Sequence, residues 1–371
     1  MSRAICIIIY IVNAINAFSQ KKKKLFPLIL FLLMFMMFSF VTTPTYQHDG
    51  YFRGDNEIYE NLYNQLKDAT FEEAFSGKYS VDPKTIGYTF ITWEYARMGV
   101  PFSGFMASVF VFCSFMCYLT FKEISNNYSY FLILYFGYYF LYDIQQIRNF
   151  IGVSIILFAV KKLKDGKKIL YCVLTFIATT IHTSMIVFLV FIIAESKSAL
   201  KHKKTFIKII GFIMIFLVES NFIGLNIVKK VASLLFSSGY LSDKFNPFRP
   251  LIEVAMFLCY TKIVGEVYKN ANDKWASFIY RLNVISLVFL PLIMISMTMD
   301  RLLRPILLLD YILFSKYNSS IPHKGSVIYI SRNLISIVKI IVMTSLMTFF
   351  FSKILFVWIF DSNTFLQWLG A

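Results

Sequence analysis

The chain has 371 residues, 57% of them hydrophobic and only 16% charged, against about 25% charged residues in an average soluble protein. Its apolar residues come in blocks of roughly 12 to 22, near the length that crosses a hydrocarbon core about 30 Å thick. The net charge of +16 sits in short connections between these blocks, "KKKK" (21–24), "KKLKDGKK" (161–168) and "KSALKHKK" (197–204), which reads as the cytoplasmic bias of a membrane protein and not as a nucleic-acid footprint.

The expected fold is therefore an all-α polytopic integral membrane protein. It has about 10–12 transmembrane or half-membrane helices in a single membrane domain over residues 1–371, with an external loop after the second helix. The alternating short strands of an outer-membrane barrel are absent. The first block, 4–19, reads as a retained helix because no small-residue cleavage site follows it. "KKKK" then fixes a cytoplasmic loop, and the second helix, 25–42, leads outward. Residues 43–99 form an extracytoplasmic loop carrying many of the acidic residues. Its last part, "TIGYTFITWEYARMG" (85–99), mixes aromatic and charged residues as an interfacial helix does.

Helices are expected next at 101–121, 128–143 and 146–161. The block 169–194 has lysine-rich loops at both ends, so a single span would put one of them outside, against the charge rule. Two half-helices turning near "TTIHTS" satisfy that rule, with His182 at the tip. A helix at 206–219 leads to a second extracytoplasmic segment, 219–250. Helices at 251–268, 275–298 and 303–315 follow, and a last long block covers 333–360. The five cysteines lie inside apolar blocks with no CxxC and no His-Cys cluster, so no disulfide framework, metal site or cofactor is indicated.

Motifs of soluble enzymes are missing: no GxxxxGK[ST], GxSxG, HExxH or GxGxxG. What remains is a set of ionisable and polar residues that the topology collects on the outer side. Arg53, Asp55 and Tyr59 lie in the first external loop; Asp143, Gln145, Arg148 and Asn149 interrupt two apolar blocks; His182 tips the hairpin; Asp300, Arg301 and Arg304 follow a later helix. Arginine grips phosphate through a planar fork of donors, and several outer arginines point to a diphosphate or another anion arriving from the lipid. Arg301 and Arg304, three apart in "DRLLRP", would share one face of a helix. The plainer readings are a snorkelling arginine at 148, a packed histidine at 182, a solvated loop around Asp55 and an Asp300–Arg304 helix-end pair.

These motifs resemble the EpsG family, which stands with the Wzy-type O-antigen and exopolysaccharide polymerases. The opening "KKKK", the following helix and the outer loop with Gly54-Asp55 and Tyr59 match the family's start. Ile147-Arg148, the basic turn Lys161–Lys168, then His182 and Ser184 match its central motif, and "MDRLLRPILLLDYI" its later Arg-bearing segment. Asn149 and Lys84 depart from the family's usual residues. The resemblance implies a multi-pass protein of the bacterial inner membrane with its active site facing outward. It would polymerise undecaprenyl-diphosphate-linked oligosaccharide repeats in surface polysaccharide synthesis, transferring the glycan to a hydroxyl of the next lipid-linked repeat. The implied partners are that glycolipid, membrane lipid, a chain-length regulator and a flippase; no cofactor or nucleic acid is needed. In this reading Asp55, Asp143 or His182 takes the proton, while Arg53, Tyr59, Gln145, Arg148, Arg301 and Arg304 bind substrate. The rival readings are a flippase or transporter for the same glycolipid and a glycan ligase.

Overall fold

The computed structural model describes residues 55–76, 84–196, 248–271, 273–295 and 297–318, with isolated positions elsewhere. The expected helices at 4–19, 25–42 and 206–219, the block 333–360, Arg53 and nearly all of the segment 219–250 lie outside the described residues. Every described element is helical. The chain divides into two compact units, one of residues 1–154 with 314–371 and one of residues 155–313.

In the first unit, α1 (Asp55–Leu66), α2 (Phe71–Phe75) and α3 (Ile86–Arg97) occupy the expected external loop. They are tied by long-range bonds. Trp93 Nε1 donates to the Ala69 carbonyl at 2.9 Å, and the Tyr63 hydroxyl donates to the Val100 carbonyl at 2.5 Å. Thr70 and Glu73 close a capping box on α2, supplying the orphan amides of its first turn. Gly99, at φ +72, makes the left-handed turn that ends α3, and Pro101 precedes α4 (Phe102–Ile124). At 23 residues, α4 reaches about 34 Å. It packs against α5 (Tyr128–Gln145) through the stacked pair Phe121–Tyr128, and against the start of α6 (Ile147–Lys164) through Phe110–Phe150. The expected spans 101–121, 128–143 and 146–161 fall on these helices, each of which runs two to three residues further.

In the second unit the chain reverses at His182. The arm α7 (Lys168–Ile181) packs against a 3-10 helix, Thr183–Glu195. Lys168 Nζ meets Glu195 Oε2 at 2.7 Å where the arms open, and the Tyr171 hydroxyl donates to the Phe188 carbonyl between them. The second arm differs from the expected α-helix. Its 13 residues far exceed the usual three or four of a 3-10 stretch. Arg281 Nε donates to the Ala194 carbonyl at 2.5 Å, occupying one of the acceptors that such an end exposes.

Helix α8 (Phe248–Ala271) starts three residues before the expected position, inside the segment assigned as external. It packs on α9 (Lys274–Ser286) at Gly265, where a Cβ would lie 2.9 Å from the Tyr280 ring. The expected helix 275–298 is interrupted. Residues Leu287–Phe289 form a 3-10 turn and α10 (Leu290–Ile295) completes it. Pro291 explains the break, since it has no amide for the Leu287 carbonyl and its ring crowds that group. A second 3-10 turn, Met297–Leu302, precedes α11 (Arg304–Asn318), with Pro305 in its first turn, where the missing amide costs nothing. Phe102–Ile124 and Lys274–Ile293 are the described helices long and apolar enough to cross a membrane.

Candidate functional site

Three of the expected site residues, Asp55, Tyr59 and Arg148, come together in the first unit. The Arg148 side chain is buried, with 8% of its surface exposed, and projects from the first turn of α6. Its guanidinium lies 5.6 Å from the Tyr59 ring centroid and 5.8 Å from that of Tyr88, within cation–π range. Its Nη1 donates to Thr85 Oγ1 at 3.4 Å. The two tyrosines meet edge to face at 5.7 Å, and the Tyr59 hydroxyl donates to Asp55 Oδ2 at 3.5 Å. So α1 contributes Asp55 and Tyr59, α3 and its N-cap contribute Tyr88 and Thr85, and α6 contributes the cation.

Local sequence explains each placement. Asp55 and Tyr59 stand four apart on α1 and so share one face. Tyr88 lies on the buried side of α3 with Thr92 and Ala96. Arg148 sits at the N-terminal end of an 18-residue helix, where the helix dipole adds to its positive field. Burial, then the neighbouring Tyr59 phenol, push the Tyr88 hydroxyl above its ordinary value, while Arg148 pulls the other way. Tyr88 thus stays a neutral aromatic wall beside the cation.

Asp143 is placed differently. It is fully buried on α5 and accepts a 2.7 Å hydrogen bond from the Tyr135 hydroxyl. Cys113 and Cys117 of α4 are within electrostatic reach of it. Gln145 is the last residue of α5, and its side chain is outside the described set.

His182 and the later arginines belong to the second unit. His182 is buried in an extended conformation between the two hairpin arms, with Nδ1 2.8 Å from Ser184 Oγ. Arg304 is fully buried, Asp300 buried and Arg301 half-buried. Arg301 lies in the 3-10 turn Met297–Leu302 and Arg304 opens α11, and the Leu303 amide between them bonds to the Asp300 carbonyl at 2.9 Å.

Sequence reasoning assigned no role to Thr85, Tyr88, Tyr135 or the buried chain Thr261–Asn283–Asp310. In that chain Thr261 Oγ1 donates to Asn283 Oδ1 at 3.0 Å and Asn283 Nδ2 donates to Asp310 Oδ1 at 2.7 Å. The signal for Tyr88 was present in "TIGY", where an aromatic follows a glycine; the others are single polar residues in apolar blocks. Among the described residues, no group of three or more His, Cys, Asp or Glu is placed to hold a metal.

A family model described as the EpsG family matches residues 48–364, most of the chain. The chain belongs to the EpsG family. EpsG is a family of the Wzy polymerase-like type, so this member stands with proteins of polysaccharide biosynthesis. The matched span takes in Asp55, Tyr59, Thr85, Tyr88 and Arg148, and also His182 and Arg304. No curated protein and no solved structure matched this EpsG-family chain.

Proposed function

We propose that this EpsG-family chain is an inner-membrane glycosyltransferase that polymerises lipid-diphosphate-linked oligosaccharide repeats on the outer side of the bilayer. The observation that carries the proposal is the buried Arg148 guanidinium, walled by Tyr59 and Tyr88 and joined through Tyr59 to Asp55. A membrane setting is supported by apolar surface that water would not tolerate as a continuous face. Val173, Phe176 and Ile177 are exposed along one side of α7 while Tyr171, Thr175 and Ala178 are buried on the other. Val111, Phe112 and Phe115 are exposed in the same way on α4.

The chemistry is a displacement at an anomeric carbon. A hydroxyl oxygen of the acceptor repeat forms the new C–O bond. The C–O bond to the diphosphate breaks, and its electron pair leaves with the phosphate oxygen. The hydroxyl proton passes to a carboxylate, which we assign to Asp55. Arg148 carries the charge that builds on the departing diphosphate, and it does so better in a water-poor site than in bulk solvent. The aromatic walls hold the guanidinium in place without neutralising it. Asp143 keeps a structural role in this reading, because both its burial and its bond from Tyr135 tie it to the helix packing.

The test is the size distribution of surface glycan in cells with and without the chain. Loss of long glycan with single repeats still delivered to the outer face supports a polymerase. Repeats held inside would indicate a flippase, and free long polymer lacking its final acceptor would indicate a ligase.

A further inference from the structure

We propose that Asp310 anchors a binding site for a small monovalent cation, of the sodium type, inside the second unit. The inference does not depend on the proposed function. Asp310 is fully buried on α11. Its Oδ1 accepts the 2.7 Å bond from Asn283 Nδ2, and its Oδ2 is enclosed with no hydrogen-bond partner. Among the described residues no cationic side chain pairs with it. A carboxylate taken out of water needs a compensating charge. Ionisable groups enclosed in membrane proteins commonly mark the paths and sites of ions.

A second orphan oxygen lies on the helix that faces Asp310. Ser286 is also fully buried, and its Oγ has no partner. A helical hydroxyl ordinarily donates back to a carbonyl three or four residues earlier, as Ser154 and Thr175 do at 2.8 Å each. Ser286 stands three residues after Asn283, on the same side of α9. The 3-10 turn Leu287–Phe289 begins at the next residue, and breaks of this kind present oxygen ligands to cations in membrane proteins. Thr261 completes the arrangement from α8. Its hydroxyl donates to Asn283 Oδ1 at 3.0 Å, which turns Nδ2 toward Asp310. The carboxyl is thereby held by Oδ1 and leaves Oδ2 open. Oxygen donors suit a hard cation. One carboxylate balances a single positive charge, whereas a divalent ion would leave excess charge buried.

The test is thermal unfolding of the full chain in detergent at mildly alkaline pH. Choline chloride is exchanged for sodium chloride at constant ionic strength. The melting temperature of the native protein should rise with sodium and saturate, as binding to the folded state requires. Asp310→Asn still accepts the Asn283 bond and should lose the sodium response. Ser286→Ala should need about tenfold more sodium for the same rise. Radioactive sodium retained by the native protein, and displaced by unlabelled sodium but not by choline, gives a readout that needs no variant. A native melting temperature indifferent to the exchange overturns the inference, as does an equal sodium response in Asp310→Asn. Stability that rises only on acidification, and does so through Asp310, overturns it too, because the carboxyl then carries a proton in place of the ion. None of these outcomes bears on the polymerase reading, which stands or falls on the glycan of cells lacking the chain.

Discussion

Arg148 at the start of α6 and Tyr59 on α1 meet at 5.6 Å, guanidinium to ring. Helix α1 thus supplies an aromatic wall to a cation that helix α6 presents. The contact predicts an asymmetry between two substitutions. Arg148→Lys keeps the charge but loses the planar fork, which both stacks on the ring and can bind phosphate at two points. Arg148→Ala loses everything. Both variants should insert normally. Polymer formation should fall about 100- to 1000-fold in Arg148→Ala, as when an oriented electrostatic donor is removed, and should remain well below wild type in Arg148→Lys. Electrophoresis of surface glycan beside immunoblots of the membrane fraction separates lost activity from lost protein.

The two carboxylates of the first unit predict opposite outcomes. Asp55 is half-buried at the start of α1, and among the described residues its side chain receives the long 3.5 Å contact from Tyr59. Asp55→Asn should leave the protein level unchanged and abolish long glycan. Asp143 is wholly enclosed and bonded to Tyr135. Asp143→Asn still accepts that bond and should keep activity, whereas Asp143→Leu removes this acceptor of the Tyr135 hydroxyl and should destabilise by about 1–3 kcal/mol. Activity lost in Asp143→Asn at normal protein level would move the proton acceptor from Asp55 to Asp143.

Much of the helix order was legible because apolar blocks end at charged residues, and a charge near a helix end is cheaper than one at its centre. The spans of α4, α5 and α6 were readable on that ground, and so was the reversal at His182, where lysines on both sides forbid a single crossing. The breaks before α10 and α11 were not. Pro291 and Pro305 were visible, but a hydrophobic count over the block does not register a missing amide. The site was half legible. Asp55, Tyr59 and Arg148 are conspicuous where they stand, while Thr85 and Tyr88 join them only through tertiary packing.

The buried chain Thr261–Asn283–Asp310 crosses α8, α9 and α11 with two hydrogen bonds. Asn283 is its centre, since it also donates to the Ile279 carbonyl at 3.1 Å. Asn283→Ala should strand both Thr261 and Asp310 and cost about 2–4 kcal/mol, more than either outer residue loses alone. The double variant Asn283→Leu with Asp310→Leu should be less damaging than Asn283→Ala, because no buried polar partner remains on Asp310 to satisfy. Thermal unfolding of the detergent-solubilised variants measures the order.

Tyr63 gives a prediction in pH. Its hydroxyl donates to the Val100 carbonyl at 2.5 Å, and burial together with nearby Tyr95 pushes its pKa up to about 12. An unfolded tyrosine titrates near 10. The folded state therefore holds this proton more tightly, and the resulting stability is complete below about pH 10. As pH rises from about 10 to about 12 the unfolded chain sheds the proton first, and the stability is lost. Tyr63→Phe removes both the titration and the donor, leaving the Val100 carbonyl with one bond fewer. At pH 9 the wild type should be more stable than Tyr63→Phe by about 1 kcal/mol, and this gap should close as pH approaches 12. The difference between the two melting curves isolates Tyr63, because every other tyrosine and lysine contributes alike to both proteins. A gap that stays constant from pH 9 to 12 would mean that the phenol titrates in the folded protein as it does in the unfolded chain.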